Sequence, residues 1–522
     1  MFGLSNAENM TVYNGRLPIE KSSASVTPPS TIDSDPSATD SWQQGQLIEL
    51  TITDLSHSGD GVGRDRGRVV FVPDTVVGDR ILARLVRVKP QFAQGKLHKL
   101  LDASPHRIRP ACIVADKCGG CQWQHVDYAF QLEAKRNLVV QDLQRIGRFS
   151  DPPVDPVLID NQEGLPSSGE LGRGDSEQAA AALRSICLGY RNKATYPLRR
   201  SQSGQVQAGY YQKGSHALVN LNQCPIQDAR LNPLLAGVKQ DIQQQGWLIY
   251  DEHYHRGEIR HLGLRVGRRT GEILLTLVVR QGDLPGLEAQ AQQWMERYPN
   301  LVGVLVNVNP ARTNAIFGQE TRLLAGRSYL KEIVLGLEFQ VRPTTFFQVN
   351  TEQAEALLQT VIDHLQLTGN EVVLDAYAGI GTITLPIAQR VKRAIAVELQ
   401  PEATEQARLN AEINTIQNVT FLTGAVEAIL PTLIDNAQAE LPNLVILDPP
   451  RKGCEQTVLD TLLTIQPERI VYISCNPATL ARDLKILCET RQYQLTRVQP
   501  ADFFPQTPHV ECAAFLERSP QI

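Results

Sequence analysis

No stretch of the 522-residue chain approaches the ~20 apolar residues that a bilayer-spanning helix needs. The N-terminus also lacks the basic-then-apolar pattern of a secretory signal. These two absences lead to the expectation of a cytoplasmic protein with no membrane partner. No internal repeat is evident, and the net charge of −5, taken alone, speaks against a nucleic-acid partner. What remains is an ordinary globular composition, 42% apolar and 20% charged, in a chain long enough for roughly three domains. Nine cysteines, several of them clustered, suit metal or catalytic roles in a reducing compartment better than a disulfide framework.

The distribution of charge tells a different story from its sum. Residues 64–109 hold eleven Lys/Arg against four Asp, and residues 184–213 hold six Lys/Arg and no acid, interleaved with Tyr190, Tyr196, Tyr210 and Tyr211. Cations neutralise phosphates and aromatic faces stack on unpaired bases, so this mixture is what a single-stranded RNA surface would need. A solvated face is the competing reading.

Along the chain, residues 1–40 are rich in Ser, Thr, Asp and Pro and read as a disordered leader. Residues 41–103 carry short alternating runs near Leu47–Ile52, Val69–Val72, Ile81–Val88 and Phe92–Leu100, which predict a small OB-like β-barrel of about five strands. Residues 104–342 read as a mixed α+β central domain. Asp160 to Ser176, rich in Asp, Gly and Ser, reads as a flexible insertion within it. From 343 to 522, strands and helices alternate, which predicts a doubly wound, Rossmann-like sheet. The whole is a multidomain α/β protein, expected to be a monomer.

In such sheets ligands bind beyond the carboxyl ends of the strands. Asp375, Glu398, Asp448 and Cys475 each end a predicted parallel strand and should share one edge. Glu511 begins the last predicted strand and joins them if that strand runs antiparallel. Gly379 and Gly381 let a cofactor approach a tight turn, although the third glycine of a dinucleotide fingerprint is missing. A carboxylate at Glu398, the second strand end, suits ribose hydroxyls. Nicotinamide and S-adenosylmethionine fit this geometry alike; the Asp448-Pro-Pro-Arg451 element and the late cysteine favour the latter. A lone cysteine is more often a small buried hydrophobe than a nucleophile, and Cys475 stands out only through this company.

The segments Phe346-Phe-Gln-Val-Asn350, Leu374-Asp-Ala-Tyr-Ala-Gly-Ile-Gly-Thr-Ile-Thr-Leu-Pro386, Leu447-Asp-Pro-Pro-Arg-Lys-Gly453, Ser474-Cys-Asn-Pro-Ala-Thr-Leu-Ala-Arg-Asp483 and Asp502-Phe-Phe-Pro-Gln-Thr-Pro-His-Val-Glu511 resemble the RNA uracil-5-methyltransferase family. The likeness covers most of the chain after the leader, and the barrel resembles the TRAM domain of the family's ribosomal-RNA branch. It implies that Gln348, Tyr377, Glu398 and Asp448 contact S-adenosyl-L-methionine, that Cys475 is the nucleophile and that Glu511 is the base. One departure is Thr382, where some relatives carry Asn. The chemistry accounts for the pair: carbon 5 of uracil attacks a methyl sulfonium only after a thiolate has added to carbon 6, and removal of the carbon 5 proton then expels the thiol.

Cys112, Cys118 and Cys121 lie within ten residues, and Cys224 is the natural fourth thiolate. Spacing leaves zinc and iron–sulfur open. The segment Cys118-Gly-Gly-Cys-Gln-Trp-Gln-His125 resembles the [4Fe-4S] region of the same branch, which implies that cluster. The resemblance favours 23S ribosomal RNA as partner, with transfer RNA as the alternative. A TRAM-containing radical tRNA methylthiotransferase is the more distant reading; its Cys-x3-Cys-x2-Cys motif is missing.

Overall fold

The computed structural model describes residues 42–159, 186–435 and 440–520, so the expected leader over 1–40 and the insertion over 160–176 lie outside the described residues. Strands β1 (Leu47–Leu55), β2 (Gly61–Asp65), β3 (Arg68–Val72), β4 (Arg80–Val88) and β5 (Phe92–Asp102) close into a barrel in the order β1-β2-β3-β5-β4. Alternation dictates the closure: Ile48, Leu50, Ile52, Val70, Val72, Ile81, Ala83 and Leu85 point inward and fill it. Most of the basic residues therefore point outward. Arg80 pairs with Glu49 and Asp102, and Arg107 with the buried Asp79, whereas Arg64, Arg84, Arg87, Lys89, Lys96 and Lys99 stay exposed.

The central region holds a seven-stranded sheet built from β6 (Lys193–Arg200), β7 (Val206–Tyr211), β8 (Leu218–Asn220), β9 (Ile259–Val266), β10 (Ile273–Val279), β11 (Leu301–Val308) and β12 (Glu320–Gly326). Its order is β12-β11-β10-β9-β6-β7-β8. One face is apolar, with Tyr196, Leu198, Leu262, Leu264, Leu275 and Leu277 packed in the same core as residues of helices Asn232–Gln244 and Leu287–Arg297. This corrects the reading of the tyrosines as one stacking surface. Tyr190 and Tyr196 are 4% and 0% exposed, and their hydroxyls are taken up by the Pro505 carbonyl and by Gln227. The alternation of β6 puts Ala194, Tyr196 and Leu198 inside, with Thr195 and Pro197 between them on the other face.

A hairpin of β13 (Leu330–Val334) and β14 (Leu337–Val341) leads to helix Thr351–Leu365, capped by the Asn350 side chain. The last sheet comprises β15 (Val372–Ala376), β16 (Arg393–Glu398), β17 (Val419–Thr423), β18 (Leu444–Leu447), β19 (Arg469–Ser474), β20 (Tyr493–Ala501) and β21 (Glu511–Arg518). The order is β17-β16-β15-β18-β19-β21-β20. Strands β15 to β19 are parallel, and β21 runs antiparallel between β19 and β20. The start of β21 therefore lies at the same edge as the ends of β15, β16, β18 and β19. Among the described residues no helix is long and apolar enough to cross a membrane.

Candidate active site

The turn after β15 is built around an unusual backbone. Tyr377, Gly379 and Gly381 all have positive φ, at 72°, 58° and 87°. A side chain at Gly381 would press on Leu385 at 3.1 Å, while the space above Gly379 is open. The Gly379 N–H donates to Glu398 Oε2 at 2.9 Å, and Gln400 N–H donates to Oε1 at 2.8 Å. Each carboxylate oxygen keeps a further lone pair for a ligand. The Tyr377 hydroxyl faces Cys454, 4.0 Å away. Gln348 stands on the segment before helix Thr351–Leu365. Asn192 fixes that segment, its Nδ2 donating to the Gln348 carbonyl at 2.8 Å and to Thr351 Oγ1 at 2.9 Å.

Asp375, Asp448 and Glu511 form an acidic edge with Glu398. Burial pushes Asp375 up to about 7, against the hydrogen bond from Thr384, and the neighbouring Asp448 and Glu398 add to it. One oxygen of Asp375 has no hydrogen-bond partner among the described residues. Burial alone pushes Asp448 up to about 7. Glu511, 5% exposed, is raised well above the carboxylate range by burial first and Asp448 second, with Arg451 opposing. A bound cation would draw these carboxyls toward their ionised form, whereas a diphosphate would push them further toward the neutral one.

Cys475 follows β19 in a turn set by Ser474, whose hydroxyl accepts from Asn476 N–H at 3.1 Å. Asn476 caps helix Pro477–Glu489, so the thiol stands at a helix N-terminus. Burial pushes the Cys475 thiol up to about 12, the carboxylates of Glu511 and Asp448 push further, and Arg451 opposes through its charge and a hydrogen bond. The sequence offers Arg451 only as part of the Asp448-Pro-Pro-Arg451 element, and its action on the thiol emerges from the structure. Its carbonyl accepts from Asn476 Nδ2 at 3.1 Å and Thr479 Oγ1 at 3.2 Å, and the next carbonyl, of Lys452, accepts from Arg482 Nη2 at 2.9 Å. Asp483 accepts from Cys454 N–H at 2.9 Å and from the Tyr472 hydroxyl at 2.6 Å. The two motifs thus clamp each other, and the clamp aims a guanidinium at the thiol.

Glu511 is delivered by the loop from Asp502 to Val510, which is held from outside the sheet. Lys135, on helix Tyr128–Arg145, pairs with Asp502 at 2.6 Å, both fully buried, and also donates to the Phe504 carbonyl at 3.1 Å. Gln131 and Gln506 bond reciprocally, and the N–H groups of Gln122 and Trp123 donate to the Gln506 carbonyl at 3.1 and 3.0 Å. His509, half-buried in this loop, is held neutral: burial, with Arg451 and Lys135 adding to it, pushes it down to about 4.

The segment touching Gln506 is the one that carries the cysteine cluster. Cys112, Cys118, Cys121 and Cys224 line one cavity with Gly120, Gln124 and Tyr210. Burial pushes Cys121 up to about 12 and Cys224 up to about 11, and the neighbouring thiols add to both. No group of His, Cys, Asp or Glu among the described residues converges closely enough for a single metal ion. Zinc requires four sulfurs at about 2.3 Å from one point. The four thiols share this cavity without converging on one point.

Comparison with known proteins gives a consistent result. The sequence model described as tRNA (uracil-5-)-methyltransferase matches residues 179–519, and that of the TRAM domain matches residues 41–98. An uncharacterized RNA methyltransferase of Nostoc sp. is 63% identical over 91% of this chain and 97% of its own. One from Bacillus cereus is 38% identical over 91% and 97%. Among solved structures, the Pyrococcus abyssi tRNA (uracil-54, C5)-methyltransferase in complex with S-adenosyl-L-homocysteine aligns with a TM-score of 0.68 and 26% identity, covering 90% of this chain and 99% of that one.

Proposed function

The chain belongs to the tRNA (uracil-5-)-methyltransferase family and carries a TRAM domain, and from that premise we propose that it methylates carbon 5 of a uridine in 23S ribosomal RNA. Cys475 is the nucleophile and Glu511 the base. The observation that carries the reading is their mutual placement: a thiol at the end of β19 and a buried carboxyl at the start of the adjacent β21, close enough to shift the thiol's proton equilibrium.

The Cys475 thiolate adds to carbon 6 of uracil, and electron density moves to carbon 5. S-adenosylmethionine, when bound at Gln348, Tyr377, Glu398 and Asp448, supplies the methyl group and a positive charge. Glu511 then takes the carbon 5 proton, the carbon–sulfur bond breaks, and the thiolate leaves. A carboxyl with a raised pKa is the stronger base, which suits this last task. Arg451 favours the thiolate against the acids around it. Replacing Arg451 by alanine therefore raises the Cys475 pKa further. The pH at half-maximal rate of adduct formation moves up, and the rate at neutral pH falls about 10- to 100-fold. Stopped reactions across a pH series read both, and Arg451→Lys recovers part of the loss; an unmoved profile removes Arg451 from this role.

We assign Cys112, Cys118, Cys121 and Cys224 to a [4Fe-4S] cluster. Methylation by this route moves no net electrons, so the thiolates act by holding Gln122 and Trp123 against Gln506. The anaerobically purified protein is expected to contain iron and sulfide, roughly four of each, and Cys121→Ser to lose them and to lower RNA affinity. Zinc in their place contradicts the assignment.

A second reading has one observation in its favour: the Pyrococcus protein that this chain resembles over 90% of its length is named as a tRNA enzyme. Nucleoside analysis of 23S and transfer RNA from cells with and without the gene decides between them. Loss of 5-methyluridine from 23S RNA supports the first reading, loss from transfer RNA the second, and loss from neither contradicts both.

A further inference from the structure

The face of the central sheet opposite its apolar core carries an unsatisfied charge. Lys193 on β6 and Arg265 on β9 stand directly opposite each other in the antiparallel register, and like charges so placed repel. Arg265 is 4% exposed, its Nη1 donates to the Arg342 carbonyl at 3.3 Å, and its Nε and Nη2 have no partner among the described residues. Among the described residues Lys193 donates to the Pro343 carbonyl at 3.5 Å and lies 5.4 Å from the centre of the Phe317 ring. Arg191 bonds the Lys193 carbonyl at 2.9 Å and adds a third cation. Among the described residues no carboxylate pairs with Lys193, Arg265 or Arg191. The next rung of β9 is Gly263, where a Cβ would meet the Thr276 carbonyl oxygen at 3.5 Å and the Phe317 ring at 4.0 Å in ordinary contact.

A lysine can shed its proton to escape such a site, and burial does oppose the charge on Lys193. Arginine cannot, because its guanidinium stays charged in proteins. Two orphaned guanidinium nitrogens in a buried, carboxylate-free setting are therefore a half-made anion site. Its position limits the anion. The carbonyls of Arg342 and Pro343 that roof it belong to the segment leading to Gln348, which the proposed function places at the cofactor.

We propose that Lys193 and Arg265 form a binding site for a backbone phosphate of the substrate RNA, beside the segment that carries Gln348. The inference rests on the RNA reading of the site and deepens it. The phosphate accepts from Arg265 Nε and Nη2 as a fork and from Lys193 Nζ as a point charge. It thereby relieves the repulsion between the two and fixes the strand next to the methylated base. Phosphate contacts set register without reading sequence.

The test measures binding of the full-length protein to an in vitro-transcribed 23S ribosomal RNA fragment and to an unmodified transfer RNA transcript across a salt series. S-adenosylhomocysteine binding is measured in parallel. Lys193→Gln is expected to weaken the RNA that the wild type binds by about tenfold. It also makes the slope of log Kd against log salt shallower by about 0.7 to 0.9, with S-adenosylhomocysteine affinity unchanged. Lys193→Arg keeps both affinity and slope. Unchanged RNA affinity and slope in Lys193→Gln overturn the inference, including the case in which S-adenosylhomocysteine affinity falls instead, which would make the anion the cofactor's carboxylate. If Lys193→Gln loses both ligands, Lys193→Arg decides: restored RNA binding with the wild-type slope supports the site, and continued loss overturns it. Failure of the wild type to bind either RNA is the separate result that overturns the RNA reading itself.

Discussion

Replacing Cys475 by alanine is expected to lower methyl transfer to background, a loss of about 10⁴-fold or more, while RNA and S-adenosylhomocysteine still bind. The loss is this large because carbon 5 has no other route to nucleophilicity in the pocket; without the thiolate no electron density reaches it. None of the other cysteines can substitute. Cys512 neighbours Cys475 but is fully buried, and its thiol is raised well above the usual range, by burial first and then by Glu511. Cys454 is occupied between Tyr377 and Tyr472. Alanine at Cys512 should therefore leave the covalent step intact and cost only packing. Methylation assays on both variants, with binding measured alongside, separate a chemical role from a structural one. Retained turnover in Cys475→Ala would contradict the covalent route.

Glu511→Gln has the second large effect and a different signature. The amide keeps the shape but accepts no proton, so turnover falls by about 10²- to 10⁴-fold and the methylated adduct accumulates. Addition itself is not slowed. After burial, the Glu511 carboxylate is the first of the influences that raise the Cys475 pKa. Removing it lowers that pKa, so the thiolate fraction at neutral pH rises and the acidic limb of the adduct-formation profile moves toward lower pH. Denaturing gels of reactions with unsubstituted RNA should show a protein–RNA band that persists after methyl transfer is complete. A Glu511→Gln enzyme that releases methylated RNA at the wild-type rate removes Glu511 from the role of base.

The edge on which these residues meet was legible because it depends only on strand order and direction. Strand ends at Asp375, Glu398, Asp448 and Cys475 follow from the regular alternation of β and α segments, and a reversed last strand is the one arrangement that brings Glu511 to them. Local sequence marks other elements: Asn350 caps helix Thr351–Leu365, and Leu287, Ala291 and Trp294 give helix Leu287–Arg297 a buried stripe. Helix Tyr128–Arg145 carried no such signal. Its buried positions include Gln131, Lys135 and Asp142, whose partners lie in distant parts of the chain, so its apolar periodicity is weak. Arg451 was hidden for the same reason: its aim at Cys475 comes from carbonyls clamped by Asn476, Thr479 and Arg482, about thirty residues further on. The tyrosines among basic residues misled because composition weighed more than alternation. Tyr196 and Lys193 are three residues apart on β6, an odd number, and so face opposite sides of the sheet.

The most direct measurement uses substrate RNA carrying 5-fluorouridine. Fluorine at carbon 5 cannot leave as a proton, so after methyl transfer the adduct has no exit. Wild-type protein incubated with this RNA and S-adenosylmethionine is predicted to give a slow-migrating band on a denaturing gel, with a methylated fluorouridine attached to the proteolytic peptide containing Cys475. No band from the wild type, or a band that persists in Cys475→Ala, would contradict the covalent mechanism.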